Sequence, residues 1–211
     1  MTAIKHENGA LLVLAGPGSG KTYTIIQRIL HLIEKSNVDP ASILVITFTR
    51  AAAEEMRERY EALTGGGSRV TFGTFHSIFF RILKLAYRYT ADNIVREDQQ
   101  MQFVRELAQA GGLEPEDENE FAASILSEIS SVKGERIALE HYYSKNCPDA
   151  VFRQLYAGYE EKMRRAGLID FDDMMVLCLE LFTERKDILS AWQRRYRYIL
   201  IDEFQDINRL Q

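Results

Sequence analysis

The feature that most constrains this chain is an eight-residue run, Ala15-Gly16-Pro17-Gly18-Ser19-Gly20-Lys21-Thr22, set between an apolar stretch at residues 9–15 and an amphipathic one at 21–34. A short apolar run that ends in glycines predicts a buried strand. After the run, Ile25, Ile26, Ile29, Leu30, Leu32 and Ile33 alternate with polar residues in a pattern that suits a helix. A glycine-rich turn between strand and helix lets several backbone N–H groups point inward, and the helix start adds its positive end. Such a cradle fits phosphate oxygens. Gly16, Pro17, Gly18, Ser19 and Gly20 would line it, Lys21 would bridge the outer phosphates of ATP, and the Thr22 hydroxyl would ligate Mg2+. Ala15 stands where GxxxxGK[ST] motifs carry their first glycine, and a small residue still fits that turn. The rival reading, a flexible glycine loop that happens to contain Lys-Thr, does not account for the flanking strand and helix.

The alternation continues with a strand at 43–48, a helix at 51–63, a strand at 69–73 and a helix at 75–89. Strands alternating with helices predict a parallel sheet with covering helices. From 90 to 166 only helical patterns occur, at 98–110, 118–132 and 149–165, and the sheet pattern returns at 198–201. The expected architecture is therefore α/β, residues 1–89 and 167–211, interrupted by an all-helical insertion at 90–166. A hydrophobic fraction of 46% in 211 residues allows a sizeable core. The apolar runs are too short to span a membrane, the amino terminus lacks a signal-peptide pattern, and Cys147 and Cys178 lack metal-ligand spacing; the expectation is a cytoplasmic protein with reduced thiols. A net charge of −5 argues against a generally basic nucleic-acid binder, although phosphate contacts need only a local basic stripe. The acidic run at 114–120 reads as a solvated loop.

Tyr198-Ile199-Leu200-Ile201-Asp202-Glu203 is an apolar strand followed by paired acids. Asp202 is placed to hold the metal, and Glu203 to orient or deprotonate the water that attacks the γ-phosphate. The bland reading of Glu203 is a surface acid; with the phosphate loop, the pair points to hydrolysis. Asp170, Asp172 and Asp173 read as the start of a helix, with Asp170 as its N-cap and Phe171 and Met174 packing inward.

Asp202-Glu203-Phe204-Gln205-Asp206-Ile207-Asn208 closely resembles the second motif of superfamily 1 helicases, the UvrD, PcrA and Rep group. Residues 15–22 resemble that group's first motif, residues 47–56 the next, Gly73-Thr74-Phe75-His76-Ser77 the third, and residues 168–174 the segment where the group's inserted helical subdomain rejoins the sheet. Arg50 stands where asparagine is more usual. The resemblance implies a RecA-like ATPase domain that drives translocation 3′ to 5′ on single-stranded DNA. It implies that Gln205 senses the γ-phosphate, that Phe48 stacks on a base, and that Thr49, Thr74 and His76 touch the DNA strand. Without it, Phe48 reads as a core aromatic and His76 as a helix-cap histidine.

Members of this group place ATP between two RecA-like domains, and the chain stops at Gln211, just past the second motif. The expectation is an N-terminal part of a larger motor, with feeble hydrolysis alone, an exposed apolar patch, and a second RecA-like domain supplied by the full-length chain or in trans. Two alternatives stand beside it: the helicase part of a RecB/AddA-like helicase–nuclease, and a non-catalytic nucleotide-gated module that binds a protein partner.

Overall fold

The computed structural model of the chain describes residues 2–6, 9–16, 18–67, 69–208 and 210. They form two compact units, Met1–Ile78 with Leu181–Ile207, and Phe79–Glu180 with Asn208–Gln211. In chain order the elements are α1 (Thr2–Lys5), α2 (Lys21–Glu34), β1 (Ile43–Thr47), α3 (Arg50–Thr64), β2 (Thr71–Thr74), α4 (Phe75–Tyr87), α5 (Glu97–Ala110), α6 (Glu118–Glu135), α7 (Asp149–Ala166), α8 (Phe171–Glu184), α9 (Lys186–Arg195) and β3 (Tyr198–Ile201).

The first unit is built on a parallel sheet in the order β2-β1-β3. All five residues of β1 are buried, as expected of a parallel strand covered on both faces. Ile26, Ile29 and Leu32 of α2 pack with Ile43 and Val45 of β1 and with Met56 and Tyr60 of α3. Chain punctuation is local. The Thr49 hydroxyl accepts from Ala52 N at 3.1 Å to start α3, and Gly65 ends that helix at a φ of 78°.

The expected strand at 9–15 is not formed. Residues 10–16 carry no regular structure and lie exposed, Leu12 at 64% and Leu14 at 89%. The apolar pattern suits a central strand, but such a strand needs a ladder and cover on both faces. Among the described residues no strand pairs with the outer edge of β3, where Ile199 is 54% exposed. β2 also begins two residues later than expected, at Thr71.

The second unit has its core where α5, α6 and α7 meet: Val104, Ala122, Ile125, Ile129, Phe152, Leu155 and Tyr159. Its one β feature among the described residues is a parallel bridge between Ile94 and Ile169. Asp170 does cap α8: Asp173 N donates to Asp170 Oδ1 at 2.7 Å, and Asp170 N to Asp173 Oδ2 at 3.0 Å. Met174 is buried, whereas Phe171, expected inside, is 57% exposed. Beneath the cap lies Lys133, only 4% exposed, with Asp170 Oδ2 at 2.9 Å, Asp173 Oδ1 at 2.7 Å and Glu160 Oε1 at 2.7 Å. Burial works to lower the Lys133 pKa, but the three facing carboxylates outweigh it and hold the ammonium above its ordinary value. Asp173, desolvated and beside Asp170, is pushed up to about 6. No described helix is long and apolar enough to cross a membrane.

Candidate functional site

Three parallel strands in register end along one edge of the sheet: Thr47 lies opposite Thr74, and Ile46 opposite Ile201. Residues that follow those ends therefore emerge at the carboxyl edge, where α/β sheets bind ligands. Phe48 and Thr49 leave β1, Phe75 and His76 leave β2, and Asp202 and Glu203 leave β3. Asp202 N donates to Ile46 O at 2.9 Å, so the ladder runs right up to the acid pair.

The glycine run meets the acid pair directly. Gly18 and Gly20 hold φ values of 70° and 87°, a left-handed backbone that side-chain-bearing residues resist. Ser19 folds back, its N and Oγ both donating to Gly16 O, at 3.3 and 2.6 Å. Pro17 lies outside the described residues. Gly20 is the N-cap of α2 and offers no side-chain acceptor, so the N–H groups of the first turn remain for a ligand. That open, positive helix end fits a triphosphate. Lys21 opens the helix, and Thr22, half-buried, sits beside it.

Lys21 Nζ donates to Glu203 Oε1 at 2.6 Å, with both side chains one-third exposed. This hydrogen bond raises the Lys21 pKa and lowers that of Glu203. Gln205 Nε2 donates to the other Glu203 oxygen at 2.6 Å and to Asp206 Oδ2 at 3.2 Å. Glu203 itself has a φ of 52° and a ψ of 47°, a strained conformation for a glutamate of the kind that gathers at functional sites. Half-buried Asp202 has a raised pKa, first from desolvation and then from the neighbouring Glu203 charge. Among the described residues no group of three or more His, Cys, Asp or Glu could hold a metal by itself. A Mg2+ site here would rest on one or two protein oxygens, with phosphates and waters completing it, the usual arrangement for this ion.

Residues 1–211 match the family described as the UvrD/REP helicase N-terminal domain. The chain belongs to this family. It is 36% identical to the ATP-dependent DNA helicase PcrA of Bacillus subtilis (strain 168), over 99% of this chain and 29% of that protein. It is also 36% identical to DNA helicase II of Escherichia coli (strain K12), over 99% of this chain and 30% of that protein. A PcrA of Leuconostoc citreum is 34% identical over 99% of this chain and 29% of its own length. The chain thus spans under a third of the curated relatives it matches.

In this UvrD/REP domain Phe48 is 58% exposed, so it is not the core aromatic that its sequence context alone suggests. The hydroxyls of Thr49 and Thr74 are engaged as helix caps, the latter accepting from Ser77 N at 3.2 Å. His76 is half-buried in the first turn of α4. Two further residues at this edge were given no role by the sequence beyond their place in a motif. Thr47, 1% exposed, donates to Thr49 O at 2.9 Å and so shapes the turn that presents Phe48. Asp206 accepts from the same Gln205 Nε2 that donates to Glu203, at 3.2 Å.

Proposed function

We propose that the chain is the ATP-binding N-terminal part of a translocase that moves 3′ to 5′ on single-stranded DNA and couples ATP hydrolysis to unwinding in cytoplasmic repair or replication. The observation that carries this reading is the 2.6 Å contact between Lys21 and Glu203, which brings phosphate loop and acid pair together at the carboxyl edge of a parallel sheet. A γ-phosphate entering the loop takes over Lys21 as its counter-charge and releases Glu203. Without the lysine, the Glu203 carboxylate regains basicity. It then accepts a proton from water as the water oxygen bonds to the γ-phosphorus and the bond to the β,γ-bridging oxygen breaks, leaving ADP and phosphate. Thr22 and Asp202 would hold Mg2+, which when bound neutralises charge on the phosphate oxygens. Gln205, already bonded to Glu203, reports whether that carboxylate is paired or free.

Phe48 offers an exposed π-face on which any base can stack, and Thr49, Thr74 and His76 lie along the same edge for the strand's backbone. Residues 90–166 are read as a helical subdomain inserted into a RecA-like domain of 1–89 and 167–211; the compact unit at 79–180 supports an insertion of somewhat wider bounds. Full turnover requires a second RecA-like domain, in the same polypeptide or in trans, to bring an arginine to the transferring phosphate, a contribution of several orders of magnitude in related chemistry. The relatives' greater length supports that partner. The test is Mg2+-dependent nucleotide binding and hydrolysis with and without single-stranded DNA, using Lys21→Ala as control. Lys21-dependent binding with little turnover is expected. Nucleotide binding that survives Lys21→Ala unchanged would sink the reading.

A further inference from the structure

Residues 62–91 contain no aspartate or glutamate, although the chain as a whole carries a net charge of −5. Within that stretch, the part of α4 that belongs to the helical unit buries Ile82 and Leu83 and exposes Arg81, Lys84 and Leu85. Spacings of three and four residues put those three on one helix face. Leu85 is 69% exposed and Tyr87, two residues on, 47% exposed. Arg88 follows immediately, also exposed, and no ion pair is found for Lys84 or Arg88 among the described residues.

We propose that this face of α4, Arg81, Lys84, Leu85 and Tyr87, together with Arg88 just past the helix end, is a second contact surface for single-stranded DNA, in addition to the sheet edge. Cations near a helix C-terminus have an ordinary explanation, because they complement the negative end of the helix. Three further observations go beyond it. Helix-end electrostatics does not call for an exposed leucine and tyrosine among the cations. Nor does it explain a long stretch cleared of acids. Most directly, Arg88 holds a φ of 61°, the left-handed conformation that glycine adopts without strain at the end of a helix. An arginine kept at such a backbone position suggests that its side chain serves a purpose there. The combination suits one ligand chemistry: guanidinium and ammonium groups for phosphodiesters, and an exposed aromatic ring for an unpaired base. A single strand supplies both, whereas a duplex hides its base faces.

The proposal extends the DNA-binding part of the preceding reading, and its test is separate from Lys21-dependent nucleotide binding. Labelled oligothymidylate and a mixed-sequence duplex are titrated with the 211-residue chain by anisotropy across a salt series. For the single strand, the Lys84→Gln, Arg88→Gly double variant is expected to make the slope of log affinity against log salt shallower by about 1.4, two phosphate contacts at about 0.7 each. Arg88→Gly alone removes backbone strain, so its Tm does not fall while its affinity does, a split that a purely structural arginine would not give. Tyr87→Ala lowers single-strand affinity at least about five-fold with the slope unchanged. Absence of binding by the unaltered chain, or unchanged slope and affinity in both the double variant and Tyr87→Ala, overturns the proposal. Equal losses on the duplex with no effect of Tyr87→Ala replace the single strand with duplex backbone. Displacement of the strand by polyglutamate at equal charge replaces nucleic acid with an acidic protein.

Discussion

Lys21 and Glu203 occupy each other in the structure, so each charge competes for what the other is expected to bind. Glu203→Gln removes the charge from one side of that contact. Hydrolysis by a motor carrying it is expected to fall about a hundred-fold or more, in line with loss of a general base. Affinity for a non-hydrolysable ATP analogue should hold or tighten, because Lys21 no longer faces an anion. A fluorescence titration checks this, and analogue binding that weakens in step with turnover would count against the exchange of partners. Lys133 makes a contrasting pair of predictions. Lys133→Met leaves Asp170, Asp173 and Glu160 facing one another without their cation, and should destabilise the helical unit by about 3–5 kcal/mol in urea unfolding. Asp173 titrates near 6, above its unfolded value of about 3.9. The folded state therefore binds more protons between those limits. Its contribution is fully present below about pH 3.9 and is lost as pH rises through about 6. Asp173→Asn should flatten the urea midpoint between about pH 4 and pH 7, while an unaltered slope would place the titration elsewhere. The Asp170 cap could be read from the sequence but its pairing with Lys133 could not, since Lys133 lies on α6, Glu160 on α7, and Asp170 and Asp173 at the start of α8. The residues expected at the nucleotide lie instead in two contiguous runs, and the structure brings Lys21 of one within 2.6 Å of Glu203 of the other.

At the level of elements, helices with a strong apolar period and explicit end signals fell where the sequence put them. α6 begins at Glu118 because Asp117 accepts from Asn119 N and Glu120 N, at 2.8 and 2.9 Å, and its buried residues follow the helical period. α9 was not foreseen: between Lys186 and Arg195 only Ile188, Leu189, Ala191 and Trp192 are apolar, too few for a clear stripe. Residues 9–15 failed in the other direction. They carry a strand's composition, but strand formation is decided by neighbours, and composition does not report them. Packing between helices is equally invisible locally. Gly158 of α7 faces Leu107 of α5 so closely that an added Cβ would lie 2.6 Å from Leu107 Cδ2, 3.3 Å from Cδ1 and 3.5 Å from Cγ. Alanine in mid-helix ordinarily gains about 1 kcal/mol over glycine. Here a Leu107 methyl must shift to make room, so Gly158→Ala should forfeit that gain and leave the urea midpoint no higher than that of the unaltered chain.

Across the molecule, the exposed run from Leu11 to Leu14 and the outer edge of β3 form an aggregation liability in the first unit. Lys substitutions at Leu12 and Leu14 should lower the apparent mass seen by sedimentation as concentration rises. Unchanged association would shift the sticky surface elsewhere. The sheet also has a history built into its order. β1 is the central strand, yet β3, which pairs with it from Ile43 opposite Tyr198, comes only after α4 to α9 in the chain. At about 5–20 residues per second, a ribosome needs on the order of 10 s to travel from one to the other. For that interval the most apolar strand of the molecule has β2 on one flank and nothing on the other. Whatever shields β1 during synthesis, whether a chaperone or a temporary contact within the nascent chain, acts before Asp202 and Glu203 have been made. A ribosome stalled within that interval would leave behind a glycine run and a Lys21 with no Glu203 to face.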